Sequence, residues 1–390
     1  MVHMKTNRIF RTAAVFLCAL LVTLCLLTGC ATAAQPSLIA EAPVTIKLAG
    51  YTEPFEIHTQ LQKNFLEASN VAFISKYAAG AYEKSYPQAV TLEWEPEKDA
   101  PSYRILVSEN EDLSGYWVLT STGTEAEVYN LKIGTKYYWR VYSLSANGAV
   151  TGMSETGSFT TDPTPPRNLY VDGITNVRDL GGWPTEDGGV IRQGLAYRTG
   201  RLNQNKTDTI EPIITDEGIA VMVGQLGVRT EIDLRELENN EVGSLTKKSV
   251  LGNSVNYVQC PMIGTANFIQ PRSYESIGRA LSLFADEKNY PIFFHCSIGT
   301  DRTGVIAFLI LGLCGVSEDT LYRDYLFSNY GLINAVRIPA NLRPYFDVIN
   351  MYEGATLAER IRTFLRTECA VTDRQMDSIV RIMRADAQVY

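Results

Sequence analysis

The chain has 390 residues, 45% of them hydrophobic and 20% charged, a composition of ordinary globular protein with room for two or three domains. With 43 acidic and 35 basic residues the formal charge is −8, which argues against nucleic acid as a partner and requires an anionic substrate to be captured by local cationic groups. Three histidines, His3, His58 and His295, are too few for a His-rich metal centre, and seven cysteines without short regular spacing do not make a disulfide framework.

At the start, Lys5, Arg8 and Arg11 precede an apolar run over residues 12–27 that ends in LTGC at 27–30. The run is short for a bilayer span and has the basic flank of an export signal, although a plain transmembrane anchor is the alternative. Small residues before a cysteine resemble the bacterial lipobox. That resemblance implies that residues 1–29 are a lipoprotein signal peptide, that Cys30 becomes the acylated first residue, and that the protein is exported and lipid-anchored to the outer face of a bacterial membrane.

Residues 30–86 give no separate domain: APVTIKLAGY suits a strand that extends the module after it, and TQLQKNFLEA a short helix. Over 87–162 the period is two. Val90, Leu92 and Trp94 alternate with Thr91, Glu93 and Glu95, and Tyr103, Ile105 and Val107 repeat the pattern, which predicts half-buried strands. Polar breaks such as PEKDAP and SANGAVTG make this a small antiparallel all-β sandwich. LEWEP, YRILVS and LKIGTKYYWRVYSLS, with Leu131, Gly134, Thr135, Tyr137, Trp139 and Val141, are similar to a fibronectin type III module, a resemblance that implies spacing or binding. TTDPTPPRN then reads as a stiff Pro-rich linker.

From residue 165 to 390, strands alternate with longer helical patterns, so a second, α/β domain is expected. GVRTEIDLR (227–235) and YPIFFHC (290–296) read as buried strands, and TGVIAFLILGLCG as a buried helix. Ser317, with Glu318 and Asp319 after it, and the TDRQ capping box at Thr372 start further helices. Cys314 suits a core thiol, and Cys260 and Cys369 the same.

HCSIGTDRTG at 295–304 lies between a strand and a helix. The loop of residues 296–301 can turn its amides inward as an anion nest at a helix N-terminus. Gly299 supplies a backbone angle that side chains resist, and Ser297, Ile298 and Thr300 complete the phosphate loop. Amides, helix dipole and Arg302 would hold the Cys296 thiol ionised, and the Arg302 fork suits two phosphate oxygens. The pattern fits attack of sulfur on a phosphate monoester and hydrolysis of the resulting phosphocysteine, without cofactor or metal. Thr303 is the expected donor to the leaving sulfur and His295 a support of the loop. For the acid, no Asp or Glu lies between Val242 and Tyr274, so Asp301 is expected, with a bound dianion favouring its protonated form, and Asp233 is the alternative.

Cysteine-x5-arginine after histidine resembles the protein tyrosine phosphatase superfamily. NVRDLGGWP (176–184), YRTGRL (197–202), DLR (233–235), HCSIGTDRTG and DYLFSN (324–329) are similar, more narrowly, to the bacterial tyrosine or triple-specificity phosphatases that also act on phosphoinositides. The resemblance implies a protein-tyrosine-phosphatase-like α/β domain, Cys296 and Arg302 as catalytic pair, the loop aspartate Asp301 as acid, and a phosphorylated protein or small phosphate ester as substrate. That family usually carries lysine where Thr300 stands, which weakens the case for lipids bearing several phosphates.

Asp179, Gly181 and Gly182 read as a turn and its brace, Arg178, Arg198 and Arg201 as loop supports or anion contacts, Tyr325 and Asn329 as helix packing, and Arg337, Arg343 and Arg362 as a solvated face. The rival functions are an inositol polyphosphate or phosphoinositide phosphatase, a catalytically inactive phosphate-binding protein, and a surface adhesion protein working through the sandwich. A cysteine protease is disfavoured, because His58 is the only other mature histidine and is remote in sequence.

Overall fold

The period-two segments fold as strands in the computed structural model, which describes residues 38–206, 209–236, 246–264 and 269–386. Cys30 and the stretch read as an export signal lie outside the described residues. The chain divides after Glu41, and Ala42–Tyr390 is one compact unit; residues 38–41 carry neither strand nor helix. Among the described residues no helix is long and apolar enough to cross a membrane.

One sheet holds β1 (Val44–Ile46), β3 (Ser102–Ser108), β4 (Trp117–Ser121), β6 (Lys136–Leu144), β7 (Val150–Ser154) and β8 (Gly157–Thr160); a second pairs β2 (Val90–Glu93) with β5 (Glu125–Val128). Alternation aims Val90 and Leu92 from the second sheet, and Ile105, Trp139 and Phe159 from the first, into one core, where each is 0% exposed. APVTIKLAGY does extend this module, since β1 runs parallel to β7.

A second sheet system follows. Its main sheet has the order β15 (Asn256–Gln259), β14 (Thr230–Asp233), β16 (Ile292–His295), β11 (Ala196–Thr199), β9 (Arg178–Asp179), with β9 antiparallel at the edge and the rest parallel. Small pairs β10 (Val190–Ile191) with β17 (Arg384–Ala385), and β12 (Asn203–Lys206) with β13 (Thr209–Pro212), flank it.

The helices are α1 (Gln60–Leu66), α2 (Asp216–Ala220), α3 (Pro271–Phe284), α4 (Asp301–Leu313), α5 (Glu318–Phe327), α6 (Pro339–Ile349), α7 (Leu357–Glu368) and α8 (Asp373–Met383). Every residue of α4 is buried, as befits a helix apolar on all sides, and it is the hub against which the sheet and the C-terminal helices pack. Ser317 caps α5, and Thr372 with Gln375 forms the capping box of α8, as their sequences predict.

Two expectations change. The Pro-rich segment is no free linker: Pro166 and Arg167 are buried, and Arg167 donates to the carbonyls of Asn130 (2.6 Å) and Leu131 (3.1 Å) and to Asp179 (3.0 Å). An arginine seven residues past the last sandwich strand ties the two sheet systems together. The predicted helix α1 forms, but Phe65, Ile74 and Ala78 belong to the apolar cluster around α4 rather than to the sandwich. Polar bonds fix the same segment: Arg323 donates to the carbonyls of Phe65, Leu66 and Ala68, and the Tyr330 hydroxyl to that of Leu61.

Candidate active site

Parallel register brings Thr199, Asp233, Gln259 and His295 to one edge of the sheet, the carboxyl ends of β11, β14, β15 and β16, where open α/β sheets place ligands. The chain leaves β16 at His295, turns through residues 296–300 and enters α4 at Asp301. Gly299 takes φ +71°, and a Cβ there would stand 2.4 Å from the Thr199 carbonyl oxygen, so the position requires glycine.

Four carbonyls of this turn are tied outward. Arg201 N–H donates to Ser297 O (3.2 Å), Asn176 Nδ2 to Ile298 O (3.1 Å), and Arg198 Nη2 to Gly299 O (3.0 Å) and Thr300 O (3.2 Å). In a planar trans peptide the N–H points opposite to the C=O, so the amides of residues 298–301 face the inside of the loop. The nest expected from the sequence is present, and it is held from behind.

Cys296 lies on the floor of the loop, 1% exposed. Burial alone would raise its thiol, but the Arg302 charge and the hydroxyl and amide of Thr303 outweigh it, against some opposition from Asp301, and the thiol lies below its ordinary value. Thr303 Oγ1 is buried without a conventional partner, so its proton is available to sulfur. Cys260, Cys314 and Cys369 have no such surroundings and burial pushes each up to about 12, in keeping with core thiols. Arg302 is 6% exposed, with Nη2 3.4 Å from Ser297 Oγ and Nη1 3.4 Å from Met262 O. Thr300 is fully buried and its hydroxyl meets Asn176 Nδ2 and Ile298 O, each at 3.4 Å.

Behind the loop, Asp324 on α5 pairs with both Arg178 (3.1 Å) and Arg198. Two guanidinium groups share one carboxylate, which leaves a net positive charge beneath the anion nest. DYLFSN contributes this aspartate, a counter-ion that the sequence reading did not single out. Asp179 accepts from Gly181 N (2.8 Å) and Gly194 N (2.6 Å), a turn brace as expected. Arg201 is half-buried beside the loop, with its guanidinium 3.5 Å from Gln204 Oε1.

The acids are placed differently from expectation. Asp301 sits in the first turn of α4, but Arg337 grips both its oxygens (2.9 and 2.7 Å) and Tyr325 donates to Oδ1 (2.8 Å), so giving a proton to a substrate requires one of these bonds to open. Arg337 is thus no solvated-face residue; Asn329 clamps its backbone N–H and C=O (2.8 and 2.9 Å), whereas Arg343 makes an exposed surface pair and Arg362 a half-buried one. Tyr325 and Asn329 serve this clamp as well as packing.

Asp233 is corrected as an alternative acid. Arg235 binds both its oxygens (2.8 and 2.5 Å), and the Tyr257 hydroxyl donates at 2.8 Å. Burial would raise this carboxyl, but the His295 charge and then Arg235 bring it down to about 2, the opposite of a proton donor at neutral pH. A folded value below the ordinary 3.8 contributes stability that is present above the unfolded pKa and lost as pH falls through about 2. Asp233→Asn is expected to destabilise the fold at pH 7 by about 2 kcal/mol or more, the difference closing between roughly pH 4 and pH 2. Urea titrations of both proteins across that range check it.

Glu236, unforeseen from the sequence, lies nearer to Arg302. Its Oε2 accepts from Gly264 N at 3.0 Å, and a Cβ on Gly264 would meet that oxygen at 3.1 Å and Arg302 Cζ at 3.6 Å. His295 supports the loop as expected, with Nδ1 3.1 Å from the Cys296 carbonyl and Nε2 3.0 Å from Glu231. Glu231, Asp233 and His295 bring donor atoms within 4.8 Å of one another, but both Asp233 oxygens serve Arg235 and both imidazole nitrogens have partners, so this cluster is an ion-pair network and not a metal site.

Among curated proteins, a Cupriavidus necator chain named as a putative tyrosine-protein phosphatase is 26% identical over 186 residues, which cover 42% of this chain and 63% of that relative's length. Among solved structures, the core catalytic domain of the PP-IP phosphatase SIW14 from S. cerevisiae matches at 17% identity over 51% of this chain and 92% of that one, with a TM-score of 0.30. The sixth fibronectin type III domain of a human protein matches at 22% identity over 24% and 86%, with a TM-score of 0.18. Scores of this size do not by themselves establish a shared fold. Residues 169–385, more than half of the chain, match the model of the tyrosine phosphatase family, and the chain belongs to that family.

Proposed function

We propose that the protein hydrolyses phosphate monoesters through a phosphocysteine on Cys296, with phosphotyrosine in proteins as its main substrate. The carrying observation is the loop at 296–301: four outward-tied carbonyls turn the amides inward above a thiol that lies below its ordinary value. The amides of residues 298–301 and the Arg302 fork hold the phosphoryl oxygens. Sulfur attacks phosphorus as the ester bond breaks and the leaving oxygen takes a proton from Asp301. Water then attacks the phosphocysteine, returns a proton to Asp301 and releases the thiolate to the Thr303 hydroxyl. A thiol that is 1% exposed suits a phenyl ester, whose ring holds the phosphate away from the peptide backbone, better than a phosphate one carbon from a backbone. Thr300 in place of a cation favours one phosphate over several, so inositol polyphosphates and phosphoinositides are the alternative.

The test is turnover of an aryl phosphate by the full chain with chelator present, followed by competition between phosphotyrosine peptides and inositol phosphates. Absence of turnover overturns the proposal, and preference for the inositol compounds replaces its substrate. Asp301→Asn is expected to lower kcat on an alkyl phosphate by about 10²-fold or more, and less on a good aryl leaving group. Unchanged rates would move the acid role to Glu236.

We further propose that the protein is exported and held at a membrane by lipid on Cys30, and that residues 87–162 are a fibronectin type III-like module that spaces the catalytic domain from the anchor. The basic flank, the apolar run and LTGC support the first, and the two-sheet core with Trp139 at its centre the second. Metabolic labelling with a radioactive fatty acid, lost in Cys30→Ala, checks the anchor.

A further inference from the structure

Glu231 is an unusual residue for its place. It sits in β14, the neighbour of β16 in the middle of the sheet, and is 0% exposed with its Oε2 unpartnered among the described residues. A strand buried on both faces normally takes an apolar side chain there, and a buried carboxyl is costly unless something compensates it.

The compensation is His295. Register sets Asp233 opposite His295 and Glu231 opposite Phe293, so Glu231 lies diagonally across from the imidazole on the same face. Nδ1 of His295 meets the Cys296 carbonyl, which only accepts, so Nδ1 carries a hydrogen. Nε2 meets a carboxylate oxygen of Glu231 at 3.0 Å, and without a proton between them two lone pairs would face each other. Asp233 Oδ1, 4.0 Å from Nδ1, adds negative charge on the same side, Arg235 opposes it, and the Phe293 ring stacks on the imidazole 5.5 Å away. The Tyr257 hydroxyl donates to Asp233 at 2.8 Å and lies within electrostatic reach of Glu231.

We propose that Glu231 is a positioning residue for the reaction: it keeps His295 as a buried imidazolium whose Nδ1–H grips the Cys296 carbonyl and whose charge stands behind the sulfur. Burial would drive this imidazole to the neutral form, yet Asp233 and Glu231 together raise it above its ordinary value, in the same direction as the geometry. The inference rests on Cys296 as nucleophile, but its test does not require turnover.

The chain has three histidines, so nitrogen-15 histidine NMR of the full protein resolves them readily. His295 is expected to show two protonated nitrogens at pH 7.5, about one unit above the ordinary imidazole midpoint. In Glu231→Gln, which keeps the shape and loses the charge, His295 should turn neutral and the midpoint for iodoacetamide alkylation of Cys296 should rise by about one unit or more. The acidic limb of kcat/KM should move up with it, while the melting curve stays cooperative. A neutral His295 in the unaltered protein overturns the proposal even where the variant fails to fold. So does a variant with neutral His295 and an unshifted thiol. Failure of the phosphatase reading would show separately, in the aryl phosphate assay.

Discussion

Cys296→Ser is expected to lower aryl phosphate hydrolysis by on the order of 10⁴-fold or more while leaving the melting curve and phosphate binding nearly unchanged. The asymmetry follows from where the free energy resides. In the proposed mechanism the amides of residues 298–301 and Arg302 hold the phosphate, the buried Arg178, Arg198 and Asp324 brace the loop from behind, and none of these depends on sulfur. Nucleophilic attack does, because a serine hydroxyl has an ordinary value far above a thiol's and cannot be held ionised by the same surroundings. The measurements are initial rates and phosphate-dependent protection against thermal unfolding. Retained hydrolysis would show that Cys296 is a bystander and that the loop binds phosphate for another purpose. Alkylation gives an independent check, since Cys296 should react first at neutral pH while burial holds Cys260, Cys314 and Cys369 up near 12.

What the sequence made readable was the part in which chemistry and backbone geometry share neighbouring residues. A strand, a glycine at positive φ, a thiol, a guanidinium and the start of a helix all fall within ten residues, and each constrains the next. The sandwich strands were readable for a similar reason, since alternation is local. Pairings across long stretches were not. Arg337 reaches back 36 residues to Asp301, and Asp324 serves arginines more than 120 residues upstream; a lone arginine in a polar loop looks like any surface arginine until its partner is placed. Glu231 was hidden differently, because a single acid in an apolar strand reads as noise unless the neighbouring strand's histidine is known to stand beside it.

The N-terminal segment provides the second large effect: a chain that begins at residue 165 is expected to aggregate or unfold and to lose hydrolysis, while one that begins at residue 42 keeps both fold and rate. Phe65 and Ile74, each 0% exposed, fill the cluster around α4, and Phe65 meets the rings of Phe327 and Tyr330 at 6.5 and 6.1 Å. Removing one such aromatic typically costs about 3–5 kcal/mol, against a total stability of roughly 5–15 kcal/mol for a domain. Removing the whole segment also strips Arg323 and Tyr330 of their carbonyl partners and leaves those polar groups to find water beside an opened apolar face. The damage would reach the loop itself. Glu83 accepts from Thr175 Oγ1 and, at 3.2 Å, from Leu332 N; the Thr175 carbonyl accepts from Gly200 N at 3.0 Å, and Asn176 beside it holds Ile298 O. Phe65→Ala in the full chain isolates the packing part and should lower the melting midpoint by about 10 °C with kcat preserved at low temperature. Glu83→Gln isolates the loop part and should raise KM while lowering the midpoint less than Phe65→Ala does. A chain starting at 165 that melts cooperatively and turns over at the full-length rate would show that residues 58–86 merely rest on a catalytic domain already complete without them.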